Sequence, residues 1–269
     1  MARPGVGELL RGWRLRRHRS QMDVALAVSV STRHLSFVET GRSRPSPELV
    51  LAVAIELEVP LRERNVLLLT AGYAPRYTET SLDDPAMSRM RSSIQRMLDA
   101  HDPYPGVAID RLWNVVLTNK AAVLLLDGIP EEVLGPSLNV YRVCLHPEGL
   151  AARTVNFHDW AVYLLGQLER SIVLTGDRSL AELAEEVRRY PNVAELVGAR
   201  RAKEWDDPPL LIPFEMQAGD AVLSMFTTLT MFGTPRDVTL EEIAVELFFP
   251  GDDRTEAILR GERPVAATV

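Results

Sequence analysis

Residues 20–45 constrain this chain more than any other stretch, because they prescribe two short helices joined by a tight turn. Gln21 opens a run in which Val24, Ala25 and Val28 fall on one helical face, and Ala25 is small enough for a second helix to cross closely. Ser31 is placed to cap a new helix by accepting hydrogen bonds from the free N–H groups of its first turn. Within that helix Leu35 and Val38 are spaced to face a core, which leaves Thr32, Arg33, His34, Ser36 and Phe37 outside or at its edge. Gly41 supplies a left-handed stop. Arg42, Ser43 and Arg44 follow at once, two guanidinium groups and a hydroxyl where a phosphate backbone would pass. A helix-turn-helix with uncommitted polar residues at the head of its second helix has the shape and chemistry to enter a DNA groove.

Charge is distributed in the same sense. The 269 residues are acidic as a whole, at net −7, yet residues 1–76 carry twelve arginines against seven acids, net +5, and residues 77–269 carry −12. A basic module tethered to an acidic one fits a DNA reader joined to a domain with another task. Cys144 is the single cysteine, so no disulfide forms within the chain. The longest uninterrupted apolar run, residues 49–55, is far short of the roughly 20 residues a membrane helix needs. With no signal-peptide core at the start, the expectation is a cytoplasmic, nucleoid-associated protein with no membrane partner.

Hydrophobic periodicity predicts helices over about residues 5–18, 21–28, 32–39, 47–57 and 61–71, an all-α five-helix domain spanning 1–76. Residues 77–104 read as a linker and a connecting helix at about 86–100, with Met87, Met90, Ile94, Met97 and Leu98 on one stripe. Residues 105–269 mix the two periods. Strands are predicted at 107–109, 113–118, 210–216, 221–231 and 243–249, and helices near 119–126, 156–174 and 179–190. Five antiparallel strands with helices on one face give an α+β, PAS-like domain.

Residues 7–76, from Gly-Glu-Leu-Leu-Arg-Gly-Trp-Arg through Ser-Thr-Arg-His-Leu-Ser-Phe-Val-Glu-Thr-Gly-Arg-Ser-Arg-Pro-Ser to Ala-Gly-Tyr-Ala-Pro, resemble the phage-repressor, or Xre-type, helix-turn-helix domain. Later segments extend a resemblance to the MmyB-like bacterial transcription regulators: Trp113-Asn114, Asn119-Lys120-Ala121-Ala122, Asn156-Phe157-His158-Asp159-Trp160, Phe232-Gly233-Thr234-Pro235 and Asp237-Val238-Thr239-Leu240. The resemblance implies that Gln21 holds a phosphate and braces the second helix, that Thr32 and Arg33 read bases, and that Phe37 is a third base-facing position. Arg suits guanine O6 and N7, and an aromatic edge suits a thymine methyl. It also implies a partly buried ion pair between Arg14 and Glu39. The full predicted DNA-binding set is Gln21, Ser31, Thr32, Arg33, His34, Ser36, Phe37, Arg42, Ser43 and Arg44. Two departures stand out: Ser29 occupies a turn position that usually holds Gly, predicting strain, and Phe37 replaces a residue that is commonly polar. One helix-turn-helix reads few bases, so a homodimer on half-sites about one helical turn apart is expected on double-stranded operator DNA.

In the second domain Leu223, Met225, Leu229 and Met231 share one face of a strand that must be covered. The helix from Asn156 carries Phe157, Trp160, Ala161, Leu164, Leu168 and Ile172 at helical spacing and is a natural cover. A cavity between them would suit a small apolar ligand, with Trp113, Leu117, Phe157, Trp160, Leu164, Met225, Leu229 and Met231 as its predicted lining. Equally, these residues fill a packed core. The family resemblance implies a long-chain acyl or similar apolar ligand and no other cofactor. The alternative is a C-terminal domain that serves protein interaction or dimerisation without a small molecule, a reading suggested by the methionine stripe.

Catalysis finds little support. The chain has no G-x-S-x-G elbow, P-loop, G-x-G-x-x-G after a strand or H-E-x-x-H. His18, His34, His101, His146 and His158 are scattered without a second metal ligand at suitable spacing. Helical geometry predicts that His158 and Asp159 diverge, and that Glu185 and Glu186 lie on a solvated face.

Overall fold

The computed structural model describes residues 4–198 and 210–262. It divides into two compact units, one formed by the chain up to Ser81 together with Gly233–Glu241, the other by Leu82–Phe232 and the chain from Glu242 onward.

The first unit contains α1 (Val6–Arg16), α2 (Gln21–Ala27), α3 (Thr32–Glu39), α4 (Pro47–Glu56) and α5 (Leu61–Thr70). Helices of seven or eight residues such as α2 and α3 do not persist alone in water. Here they are held by caps and by burial. Ser20 and Asp23 form a capping box on α2, Ser31 Oγ accepts from His34 N–H at 3.1 Å, and Ser46 caps α4 with Pro47 at its first position. Leu10, Trp13, Val24, Ala25, Leu35, Val38, Val50 and Leu67 make the core, each large aliphatic group contributing about 1.5–3 kcal/mol when fully buried. Ser29 has φ 58°, the left-handed backbone predicted for the turn.

Helix α1 crosses α3 at Gly7, where an added Cβ would lie 2.2 Å from the Val38 carbonyl oxygen and 2.8 Å from that of Glu39. Both obstacles are backbone, so neither can swing aside. Gly7→Ala is expected to destabilise the first unit by about 1–3 kcal/mol in urea denaturation. A change under about 0.5 kcal/mol would mean that α1 slides on α3 without penalty.

The second unit contains α6 (Ser88–Asp99), β1 (Gly106–Ile109), β2 (Val115–Thr118), α7 (Lys120–Leu124), α8 (Glu131–Leu134), α9 (Val140–Leu145), α10 (Phe157–Thr175), α11 (Arg178–Arg188), α12 (Pro191–Gly198), β3 (Phe214–Ala218) and β4 (Ala221–Met231), then, after a short α13 (Val238–Glu242) whose residues up to Glu241 fall in the first unit, β5 (Ala244–Pro250) and α14 (Asp253–Leu259). The five strands form one antiparallel sheet in the order β2-β1-β5-β4-β3, so the α+β antiparallel architecture expected from sequence is present.

Several local expectations are corrected. Helices cover both faces of the sheet, not one: α10 packs with Phe214, Met216, Leu223 and Met225, while Ile94 and Leu98 of α6 pack with Ala108, Leu117 and Val245 on the opposite face. β3 starts at Phe214, not 210, because Pro213 has no N–H to donate to a ladder; Leu210 and Leu211 are exposed. Trp113 lies before β2 in a turn at φ 64°, organised by the Asp110 carboxylate accepting from the N–H groups of Leu112 and Asn114. Glu186 is no free surface acid, since Arg142 on α9 donates to both of its oxygens at 2.7 and 2.8 Å.

The stretch Gly233–Glu241 belongs with the first unit despite its place in the sequence. Asp237 accepts from the hydroxyls of Thr78 and Thr80 at 2.8 and 2.9 Å. Burial alone would raise the pKa of Asp237, but these bonds outweigh it and hold the carboxyl below its ordinary range. Glu241 accepts from Leu61 N–H at 2.6 Å, satisfying the start of α5, where Pro60 offers no side-chain cap.

Candidate nucleic-acid interface and buried ligand face

The orientation of α3 is set from beneath by a buried polar network. Arg14 on α1 donates through Nε and Nη2 to the two Glu39 carboxylate oxygens at 2.6 and 2.9 Å, and through Nη1 to the Arg19 carbonyl at 2.9 Å. Gln21 at the head of α2 donates to Glu39 Oε2 at 2.7 Å. Three helices therefore meet on one carboxylate. Burial acting alone would raise Glu39, but the Arg14 and Gln21 hydrogen bonds prevail and its pKa falls below the usual carboxylate range. The Arg14–Glu39 pair has the geometry that the family resemblance implied.

On the outer side of α3, Thr32 and Arg33 are exposed, and His34, Ser36 and Phe37 are half-buried. The Arg33 guanidinium lies 5.3 Å from the Phe37 ring centroid and that of Arg42 lies 5.9 Å from it. Neither guanidinium is paired with a carboxylate among the described residues. Phe37 thus gives two arginines a common platform, a placement that explains an aromatic residue where a polar one is usual. Ser31 is occupied with capping. Arg44 differs from its neighbours: its Nε and Nη2 donate to the Ala71 carbonyl at 3.2 and 2.8 Å, with the guanidinium 4.9 Å from the Tyr73 ring. It ties the loop after α3 to the end of α5, so Arg42 is the freer cation.

The predicted ligand-lining residues do not form one group. Trp160, Leu164 and Met225 are buried together, with Phe157 packed at their edge. Trp113 joins through a T-shaped contact with Tyr141, ring centroids 5.0 Å apart. Leu117 is in the cluster on the opposite face of the sheet. Leu229 and Met231 are 50% and 60% exposed, because α10 covers the start of β4 and not its end. His158 and Asp159 approach to 3.2 Å at the exposed start of α10, contrary to the divergence expected from helical geometry. No group of three or more metal-ligating side chains occurs among the described residues.

Sequence reasoning missed the polar heart of this face. Leu229 pairs with Glu246 and Thr227 with Phe248, so Glu246 points to the same side as Leu223, Met225 and Phe248. Glu246 is buried, and burial pushes its carboxyl up to about 7 despite a hydrogen bond with Thr227. Tyr141 of α9 is wholly buried and its hydroxyl has no partner, whereas the buried Trp160 indole N–H has the Cys144 thiol as its neighbour. A carboxyl on the inward parity of an otherwise apolar strand was a readable signal for Glu246. Nothing comparable marks Tyr141, which rides on a six-residue helix.

Comparison with known proteins bears on both units. Residues 90–261 match the MmyB-like transcription regulator ligand binding domain, and residues 6–67 match a helix-turn-helix domain. Two curated relatives, each named Transcriptional regulator ClgR, come from Mycobacterium tuberculosis strains CDC 1551 / Oshkosh and ATCC 25618 / H37Rv. Each is 39% identical over 72 residues, covering 27% of this chain and 62% of the relative.

Proposed function

The chain belongs to the MmyB-like transcription regulators, and from that premise we propose how its DNA-binding and ligand-binding domains divide the work. The helix-turn-helix reads operator DNA through Thr32 and Arg33 on bases, with Gln21, Arg42 and Ser43 on phosphates and Phe37 holding both guanidinium groups in place. The C-terminal domain takes a small apolar, fatty-acyl-like molecule on the face beneath α10. Two copies act together on paired half-sites. The chain works as a regulator and not as a catalyst. One observation carries the DNA part: Arg33 and Arg42, free of carboxylates among the described residues, flank Phe37 on the open side of a helix braced by a buried ion pair.

The two arginines should separate in a binding experiment. By fluorescence anisotropy, Arg33→Ala is expected to lose about 1–3 kcal/mol on the preferred sequence and far less on random duplex. Arg42→Ala should weaken both and reduce the salt slope by about 1. Equal losses on both duplexes for Arg33→Ala would remove it from base readout.

A second reading, in which the C-terminal domain joins two copies instead of holding a ligand, draws on the exposed Leu229 and Met231. Leu229→Lys together with Met231→Lys would then convert a dimer into a monomer in sedimentation, and the purified chain would carry no small-molecule adduct in its native mass spectrum.

A further inference from the structure

Both outer strands of the sheet are covered along the edge they would otherwise leave open. β2 has Leu138 and Asn139 beside it, with the Val115 N–H donating to the Leu138 carbonyl and Asn114 bridging to Asn139. β3 has Thr154 and Val155 beside it, with Thr154 bridging to Met216 and the Val155 N–H donating to the Glu215 carbonyl. The end of β4 is treated differently. β3 reaches only as far as Phe214 opposite Met225, and β4 runs on to Met231, paired with β5 on one side and with no strand among the described residues on the other. The Gly251 N–H donates to the Ser224 carbonyl and the Ser224 N–H to Thr255 Oγ1, so Ser224 and, by alternation, Phe226, Thr228 and Thr230 turn their backbone groups toward β5. Thr227, Leu229 and Met231 therefore turn theirs outward, where they have no partner among the described residues. Residues 228–231 are exposed, so neither face of this strand end is covered. No charged side chain occurs from Ala221 to Met231. Natural sheets blunt an open edge with charge, proline, a bulge or a cover, and this sheet does so at its outer strands but not here.

The geometry points to the open edge of β4 as the surface on which a second copy of this chain docks, the two β4 strands pairing antiparallel about a two-fold axis at Leu229. This rests on the reading that two copies act together, and names the surface through which they meet. In that register Leu229 faces its own counterpart, Thr227 faces Met231 and Thr228 faces Thr230. Every outward N–H of one copy then meets an outward carbonyl of the other. Threonines pair on one face, and Leu229 and Met231 gather on the other, contacts of the kind that stabilise adjacent strands. A two-fold axis sets like against like, which is unfavourable where charges face each other; an uncharged strand carries no such barrier. The same lack of charge gives a foreign peptide little to be selected by, whereas the strand is its own complement, as an isologous contact requires. Since α10 covers only the start of β4, the contact leaves the face beneath α10 available to a small molecule.

The test uses the full chain, and wild type is expected to sediment as a dimer that dissociates on dilution. Leu229→Pro removes an outward N–H that the fold itself does not use. With the hydrogen bonds at the centre of the pairing gone, its dissociation constant should rise at least about tenfold, with the circular dichroism unchanged. Thiols read the register separately. Thr228 of one copy and Thr230 of the other form a close pair, about 4.5 Å apart at Cα and within reach of a disulfide, whereas the two copies of Thr228 are diagonal neighbours about 7–8 Å apart and beyond it. A mixture of Thr228→Cys and Thr230→Cys chains, left to exchange subunits and treated with a mild oxidant, should give a covalent dimer on a non-reducing gel that neither chain gives alone. Wild type, with Cys144 as its single thiol, is the blank. If Leu229→Pro fails to fold, the mixture decides. A dimer that persists without the mixed cross-link, or chains that cross-link as readily alone as mixed, overturns the proposal and assigns dimerisation to another surface. A chain that stays monomeric at every concentration removes the reading that two copies act together, and the proposal with it.

Discussion

Arg14→Ala is expected to destabilise the first unit by about 3–5 kcal/mol, the cost of leaving one member of a buried ion pair without its partner. The Glu39 side chain is 2% exposed and accepts from Arg14 and Gln21 only in the folded state. Removing the guanidinium leaves a buried carboxylate with the Gln21 amide as its remaining side-chain hydrogen-bond donor, Arg11 acting on it only through its charge. Urea denaturation measures the loss, and Arg14→Met combined with Glu39→Leu should recover most of it, since paired apolar replacements of buried ion pairs are often neutral. The single variant should also lose affinity for all DNA sequences, because α3 is no longer held against α1 and α2. The pair gives a pH signature too: a carboxyl held below its ordinary pKa contributes stability above the unfolded value and loses it as pH falls through the folded one. A loss under about 1 kcal/mol for Arg14→Ala would show the pair to be solvated, not structural.

Glu246 is expected to act with the opposite sign. Its carboxyl titrates near 4.5 when exposed and near 7 when folded. Below the lower value both states hold the proton and nothing changes. Between the two values the unfolded chain releases a proton that the native state retains, so stability falls as pH rises, and the loss is complete above pH 7. The shift corresponds to about 3 kcal/mol. The groups around Glu246 do not offset it in this range: Thr227 donates a hydrogen bond, and burial pushes Cys144 up to about 12 and Tyr141 above its ordinary value, although Arg170 lowers Tyr141 slightly. The difference in stability between wild type and Glu246→Gln, followed by amide exchange of β4 and β5, should therefore shift by about 3 kcal/mol from pH 4 to pH 8 in favour of the variant. A flat difference would place Glu246 in contact with water.

Legibility in the sequence followed the range of the physical signals. The helix-turn-helix was readable because its determinants are local: Ser20 and Ser31 cap, Ala25 permits a close crossing, Ser29 takes a positive φ in the turn and Gly41 takes one after α3. The Arg14–Glu39 pair spans 25 residues and emerged only through family resemblance. In the second unit apolar runs marked strands but not their ends, so Pro213 and the Asp110 turn moved two boundaries. Strand parity grouped Leu223 with Met231, yet how far α10 reaches along β4 is a tertiary fact that leaves Leu229 and Met231 in solvent. The same parity, applied to Ala244, Glu246 and Phe248, held the clue to the buried carboxyl on the face beneath α10.

The most direct test of the account as a DNA-reading regulator is selection of bound sequences from a random double-stranded pool by the full chain and by its Arg33→Ala variant. Wild type is expected to enrich a recurrent motif, two related half-sites about one helical turn apart, and the variant to show relaxed preference at one base position in each half-site. Recovery of unenriched DNA by both proteins would contradict it.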